Sequence, residues 1–271
     1  MRGWMSAVLI MALVLSGVAQ YPVQSVGATI YSTDFSSDPG WTTDQGDKCY
    51  WDSAAEEYVV NVKNSNPGTE PSRYAYANTS YNSESFRMEW NQKMTRCDWS
   101  AGVNFGLYAS DLKYYGGLVP PAKGTINVEY FVADGGRGIS LRATDISGTD
   151  KGAGSYPGYA LDTWYHNVLN YDAVAGTLNV RVTNADTGVL LTELSLAGLG
   201  VFSSEMTRIG VSRHPVGVNG SFPGGAPSNI AEARIDNVSL DVVPEPSTLV
   251  LLGIGAIGLL AYVWRRRRRT A

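Results

Sequence analysis

Most of the chain alternates hydrophobic and polar residues with a period of two. The clearest run places Phe86, Met88 and Trp90 on one side of a strand and Arg87 and Glu89 on the other. Similar runs occur at residues 103–108, 126–132, 139–141 and 178–183. This pattern is typical of strands with one buried and one solvated face. No comparable stretch of the body keeps a helical period, so we predict an all-β body.

The residues between these runs are those that tight turns require. Asp134-Gly135-Gly136, residues 172–176 and residues 184–188 combine Asp or Asn with glycine. Such residues cap turns with their side chains or adopt positive φ. About a dozen short strands joined in this way predict two antiparallel sheets packed face to face. We therefore expect one β-sandwich of jelly-roll type over residues 29–243.

The N-terminus departs from this pattern because it is continuously apolar. Arg2 precedes the apolar residues 4–18, which is the arrangement of a secretory signal peptide. Small residues would allow cleavage after Ala19 or Ala28. We predict a signal peptide of residues 1–28, because the strand-like pattern begins directly after Ala28.

The C-terminus, residues 244–271, has three consecutive parts. Pro244, Glu245 and Pro246 cannot continue a strand or begin a helix, so we expect an extended, accessible linker. Residues 248–264 carry no charge, and as a helix they would span about 25 Å, close to the thickness of a membrane core. An arginine cluster follows, which consists of Arg265, Arg266, Arg267, Arg268 and Arg269. Such a cluster stays in the cytoplasm, so the body is predicted outside the membrane.

This tail resembles the PEP-CTERM sorting signal of Gram-negative bacteria that make extracellular polysaccharide. In that family an exosortase, a membrane cysteine protease-transpeptidase, cuts near the Pro-Glu-Pro motif. The resemblance implies an exosortase-type partner and an inner-membrane-anchored precursor. It also implies release to the cell surface or extracellular matrix, among exopolysaccharide. The alternative is a plain membrane anchor with a proline-containing stalk. Only the position of Pro-Glu-Pro, directly before the apolar run, distinguishes the sorting signal from such an anchor.

The charge distribution argues against nucleic acid as a partner. The formal net charge is −4, but Arg2 and the five tail arginines are six of the 21 basic residues, against 25 acidic ones. The region between them is therefore strongly acidic and repels anionic polymers. Neutral glycans are not excluded by this argument.

The chain has two cysteines, Cys49 and Cys97. An even count in an exported protein is consistent with a disulfide, and we predict that these two residues form one. Two unpaired thiols are the alternative. A metal site is disfavoured, because His166 and His214 lack metal-ligand spacing with the cysteines.

The body resembles the concanavalin A-like (laminin G-like) superfamily of lectins and glucanases. The similar segments are residues 31–35, 85–90, 163–165 and 234–240. Glucanases of this fold use a Glu-x-Asp-x-Glu strand, but the chain has no Glu-x-Asp, and Glu129 stands alone in the nearest candidate strand. The chain also has no Gly-x-Ser-x-Gly elbow, glycine-rich phosphate loop or zinc helix. We therefore predict a non-enzymatic surface protein, with a lectin-like glycan-binding module and a glycan-active enzyme as alternatives.

Two kinds of ligand contact follow from the resemblance to lectins. Such domains often bind Ca²⁺, and the loops at Asp134, Asp145, Asp150 and Asp236-Asn237 offer oxygen ligands, although Asx turns explain the same residues. We predict no cofactor and leave Ca²⁺ open. Aromatic residues near loops are the candidates for stacking on sugar rings, and they are Trp41, Trp51, Trp99, Tyr114 and Tyr115. Trp90 and Trp164 lie in patterned strands and are predicted to be core residues.

Overall fold

The computed structural model describes residues 27–64, 74–81, 84–99, 101–109, 124–200, 202, 206–213, 229–243 and 253–260. In chain order the strands are β1 (Ala28–Thr33), β2 (Thr42–Thr43), β3 (Cys49–Asp52), β4 (Glu57–Asn64), β5 (Ala75–Asn78), β6 (Phe86–Cys97), β7 (Gly102–Tyr108), β8 (Thr125–Ala133), β9 (Gly136–Thr144), β10 (Asp150–Ser155), β11 (Trp164–Asp172), β12 (Thr177–Asn184), β13 (Leu190–Leu196), β14 (Arg208–Arg213) and β15 (Asn229–Val242).

These strands form two antiparallel sheets that enclose one core. The eight-stranded sheet has the order β13-β12-β11-β6-β15-β4-β3, with β1 paired to the second half of β15. The seven-stranded sheet has the order β10-β9-β8-β7-β14-β5-β2. Side chains of both sheets belong to a single buried cluster. The predicted all-β sandwich is therefore confirmed.

Alternation along β6 follows the sequence pattern. Phe86, Met88 and Trp90 are buried, and the residues between them are half-buried. The Trp90 ring stacks on Phe105 of the facing sheet, with ring centroids 4.8 Å apart. The predicted core face of this strand is confirmed.

The hairpin turns also form where the sequence predicts them. Oδ1 of Asp172 accepts from the backbone N–H groups of Val174 and Ala175, at 2.9 and 2.8 Å. Gly176 then adopts a φ of 59°, which closes the β11–β12 turn. Asn184 plays the same part in the next turn, which ends at Gly188.

Strand β7 differs from the predicted alternation between a buried and a solvated face. All seven of its residues are buried, including Asn104, Gly106 and Tyr108 on the outer face of the sheet. The Tyr108 ring packs there against Tyr74 and Tyr76. The outer face of β7 is therefore covered although it carries polar residues. Alternation in the sequence alone cannot show that this face is covered.

Trp164 also differs from its prediction as a core residue. It is half-buried on the outer face of the eight-stranded sheet, where Lys93 Nζ lies 4.4 Å from its ring centroid. The inward residues of β11 are Tyr165, Asn167, Leu169 and Tyr171. Bulky residues occur on both faces of this strand, so residue type did not identify the inner face.

The last strand of the body is a central one. β15 pairs with β6 on one side and with β4 and then β1 on the other. Its end is held by β1, where Ala28 pairs with Val242, and by the Val243 N–H, which donates to the Ser85 carbonyl over 2.8 Å. Both ends of the body therefore leave the sandwich at one point.

Residues 253–260 form a helix whose side chains are all exposed. Ile254 is 61% and Leu260 71% exposed, so this segment is not part of the core. Within the described part of the chain, no helix has the length and apolar character that a membrane crossing requires.

Candidate functional site

An open groove crosses the outer face of the seven-stranded sheet over β8, β9 and β10, and we call it the glycine groove. Gly152 and Gly154 are exposed residues of β10 that line the groove, so this side of the floor has no side chains. Glu129 and Ser140 face the groove from β8 and β9, and the Ser140 hydroxyl donates to Glu129 Oε2 over 3.1 Å. The volume is about 350 Å³, which is within the range of small-molecule sites.

Two further side chains line the glycine groove. Arg142 is held by Asp150, with Nη2 donating to Oδ2 over 2.7 Å. Phe131 lies against Gly138, where an added Cβ would be 2.5 Å from the ring, and meets Tyr156 edge-on at 5.6 Å. The groove thus combines an aromatic ring, a cation, a carboxylate and a hydroxyl. Such groups bind sugar rings and their hydroxyls.

Glu129 is the one carboxylate among the described residues that line the glycine groove. The acidic residue of β10 that lies closest to Glu129 is Asp150. Asp150 pairs with Thr144 of β9, and Thr144 pairs with Thr125 of β8, which is four residues before Glu129. Standard strand spacings put the Cα atoms of Glu129 and Asp150 about 16 Å apart. Glycoside hydrolysis uses two carboxyl groups that flank the scissile bond, and Asp150 is not among the residues that line this groove.

Of the predicted stacking residues, Trp41 is buried and Trp51 is half-buried. Trp41 is 7% exposed, and its Nε1 donates to the Tyr31 hydroxyl over 2.6 Å. Trp51 packs against the core, and its Nε1 donates to the Phe35 carbonyl over 2.8 Å. The neighbouring strands β2 and β3 have two and four residues, too few for the sequence to show which side is buried.

Trp99 is the predicted aromatic that lies at the surface. It is 39% exposed, and its Nε1 donates to Asp134 Oδ1 over 3.3 Å. This bond joins the turn after β6 to the turn after β8 and fixes the indole ring. Tyr114 and Tyr115 lie outside the described residues.

Tyr156, beside the glycine groove, was missed by sequence analysis. It is 52% exposed and packs on Phe131. An added Cβ at Gly135 would lie 2.8 Å from its ring, so the turn residue makes room for it. No local sequence pattern separates this tyrosine from the other fifteen.

The predicted disulfide between Cys49 and Cys97 is not formed. Cys49 of β3 pairs with Val60 of β4. Val60 pairs with Ala233 of β15, and Ala233 pairs with Met94 of β6, so β3 and β6 are three strand spacings apart. Three spacings are about 14 Å, whereas bonded cysteines need Cα atoms within about 7 Å. Burial raises the pKa of the Cys97 thiol to about 11.

The predicted Ca²⁺ loops use their carboxylates for local bonds. Asp145 accepts from the Ser147 and Thr149 N–H groups at 2.9 Å each. Burial acts to raise the pKa of Asp145, but these hydrogen bonds outweigh it and the pKa is lowered. Asp236 accepts from Asn237, and burial raises its pKa. Within the described ranges no three His, Cys, Asp or Glu residues form a metal-binding group.

The predicted sorting segment begins where the fold ends. Val243 is the last residue held by the sandwich. Pro244, Glu245 and Pro246 lie outside the described residues, as do Arg265, Arg266, Arg267, Arg268 and Arg269. The helical residues 253–260 fall within the predicted membrane segment.

Comparison with protein families gives one match, to the PEP-CTERM protein-sorting motif over residues 242–268. The match starts at the last residue of β15, so the motif follows the sandwich directly. No protein of curated function is significantly similar in sequence to the chain.

Solved structures similar to this chain are proteins of the same fold at low identity. An endo-acting O-glycanase from the human gut microbiota has a TM-score of 0.54 and 11% identity, covering 80% of this chain and 100% of the glycanase. A β-glucanase from Bacillus licheniformis has a TM-score of 0.53 and 12% identity, covering 80% and 99%. Peanut lectin has a TM-score of 0.46 and 13% identity, covering 79% and 98%. The chain therefore has a jelly-roll body with the fold of these two enzymes, followed by a segment that matches the PEP-CTERM protein-sorting motif.

Proposed function

We propose that this chain is an exported, non-enzymatic protein of the cell surface or extracellular matrix. Its signal peptide directs export, and an exosortase-type enzyme in the inner membrane removes its C-terminal anchor near Pro-Glu-Pro. One observation carries this proposal. The last strand that the structure describes ends at Val242, and the match to the sorting motif begins at the same residue.

The position of β15 makes removal of the tail compatible with a stable body. Every strand that the structure describes lies before Pro244 in the chain, so a cut in the linker removes none of these strands. β15 pairs along both edges, with β6 on one side and with β4 and β1 on the other, up to Val242. A peptidase binds an extended segment, which the two prolines favour.

The tail helix supports membrane insertion of the precursor. Residues 253–260 are apolar and exposed on all sides, an arrangement that is unfavourable in water but suits lipid. The five arginines from Arg265 to Arg269 then hold the C-terminus on the cytoplasmic side. The folded body stands on the opposite side.

Replacing Pro244, Glu245 and Pro246 with alanine tests the sorting step. In a host with an exosortase, we expect the wild-type body to be released and the triple variant to remain full-length in the membrane fraction. Pro157→Ala, which removes a proline from a loop, is the control and should be released normally. Equal release of the triple variant would contradict the proposal, and an uncut wild type would favour a plain anchor.

The lining of the glycine groove supports a non-enzymatic body. Glu129 is the one carboxylate among the described residues that line it, whereas glycoside hydrolysis uses a pair of carboxyl groups. Reducing-sugar release from matrix polysaccharides should therefore equal the background without protein. Measurable release that disappears in Glu129→Gln would contradict this part of the proposal.

A lectin-like function is the second candidate, and the glycine groove favours it. Phe131, Glu129, Ser140 and Arg142 combine an aromatic ring with polar groups along an open floor. A polysaccharide pull-down with the full-length chain in detergent tests this function. We expect binding that weakens in Arg142→Gln, and retention on none of the polymers would count against it.

A further inference from the structure

A second groove lies on the outer face of the eight-stranded sheet, and we call it the arginine groove. It crosses β6, β11, β12 and β13 and has a volume of about 470 Å³. Its lining is charged or polar except for Val168. Because the two sheets enclose the core between them, this groove and the glycine groove open on opposite faces of the sandwich.

Strand register places Val168 at the centre of the arginine groove. His166 and Asn170 are its neighbours on the same face of β11, Glu89 lies opposite on β6, and Arg181 lies opposite on β12. A small apolar surface is thus surrounded by hydrogen-bonding side chains. This combination suits the face of a sugar ring and its hydroxyls.

Two of the lining side chains, Arg87 and His166, are fixed by partners on β6. Arg87 Nε donates to Glu89 Oε1, and His166 Nε2 lies 3.1 Å from Glu89 Oε2. His166 Nδ1 lies 3.0 Å from Asn91 Oδ1. In contrast, the side chain of Arg181 is exposed and has no hydrogen bond or ion pair within the described residues.

One guanidinium of the groove is open to an anionic ligand. Arg87 is paired with Glu89, and Glu193 lies opposite Arg181 on β13, where it accepts from Asn179 Nδ2 over 3.0 Å. The two arginines and two carboxylates balance in charge, so Arg181 alone favours an anionic ligand. Its side chain is exposed, and arginine is well suited to bind a carboxylate with two hydrogen bonds.

We propose that the arginine groove binds a saccharide that carries a carboxylate, such as a uronate. Arg181 pairs with the carboxylate, Val168 contacts the ring, and the Asn170 and Asn179 amides bond to hydroxyls. This saccharide would be a matrix partner of the surface protein proposed above. The proposal rests on that function only because the protein must reach the cell surface to meet the saccharide. Binding is measured on purified protein, so its failure is separate from a failure of sorting.

The test uses the full-length chain in detergent with a labelled oligogalacturonate and a neutral gluco-oligosaccharide of the same length. We expect the uronate to bind at least about tenfold more tightly, because a charge-assisted pair contributes that much. Arg181→Gln should weaken uronate binding about tenfold, and Arg181→Lys should weaken it less. Arg96→Gln is the matched control, because Arg96 is on β6, outside both grooves, and pairs with Asp98 at 2.9 Å.

Three results would overturn the proposal. The first is equal affinity for the charged and neutral saccharides. The second is that Arg142→Gln loses uronate binding while Arg181→Gln keeps it. That result would assign the ligand to the glycine groove. The third is no uronate binding by a wild-type chain whose thermal unfolding shows that it is folded.

Discussion

Asn167 joins the two sheets at one buried point. Its Oδ1 accepts from the Tyr130 hydroxyl over 2.8 Å, and its Nδ2 donates to the carbonyls of Trp90 and Tyr165 at 3.3 and 3.1 Å. A buried amide is stable only when its polar atoms have partners. The residue therefore fixes the position of β8 relative to β11, in addition to filling space.

Asn167→Leu should lower the free energy of unfolding by about 1–3 kcal/mol, because it leaves the buried Tyr130 hydroxyl without its acceptor. Chemical denaturation measures the change. Adding Tyr130→Phe should restore part of the loss, since it removes the orphaned hydroxyl. Asn170→Ala, on the outer face of the same strand, should change stability by less than about 0.5 kcal/mol. A double variant no more stable than Asn167→Leu would contradict the bridging role.

At the scale of elements, glycines have two different effects on the seven-stranded sheet. In β7, an added Cβ at Gly106 would lie 2.0 Å from the Ile126 carbonyl oxygen, so the close approach of β7 and β8 requires glycine. In β10, the nearest atoms to an added Cβ at Gly154 are 3.7 Å away. Glycine there keeps the groove floor open and is not needed for strand packing.

We therefore predict opposite results for two alanine substitutions. Gly106→Ala should destabilise the body by roughly 1–3 kcal/mol or prevent folding, because backbone atoms must move. Gly154→Ala should leave the melting temperature nearly unchanged. It should reduce any binding in the glycine groove, because the methyl group occupies its floor. Equal melting temperatures for the two variants would contradict the packing argument.

At the scale of the whole molecule, strand order decides which residues meet. The two cysteines are separated by the width of two intervening strands, β15 and β4, although both are in the same sheet. The body is therefore held by its core and its ladder of strands. The same order brings Ala28 beside Val242 and places both ends of the body at one point.

Stability of the purified protein should accordingly be independent of reductant. We expect the same melting temperature with and without dithiothreitol, and two titratable thiols per chain in denaturant. In the folded chain, alkylation of Cys97 should be slow at pH 8 and should accelerate as the pH approaches its pKa of about 11, because the thiolate is the reactive form. A lower melting temperature in dithiothreitol would instead indicate a disulfide, whose loss typically costs about 2–5 kcal/mol.

Sequence alone determined the features that depend on neighbouring residues. Alternation identified the inner face of β6, and Asp, Asn and Gly identified the hairpin turns, because side-chain direction and turn geometry are local properties. The sorting motif was also recognisable, since its proline, apolar and arginine parts are contiguous. Together these predicted an all-β body followed by a PEP-CTERM-type tail.

Only the tertiary structure decided which surfaces are available. Trp41 is buried, Trp164 is on the outer face, and the cysteines are apart, because each outcome depends on the order of strands that are distant in sequence. Both grooves are likewise assembled from side chains on several strands. Their shape and charge arise when the sheets form, and no single segment of the chain contains them.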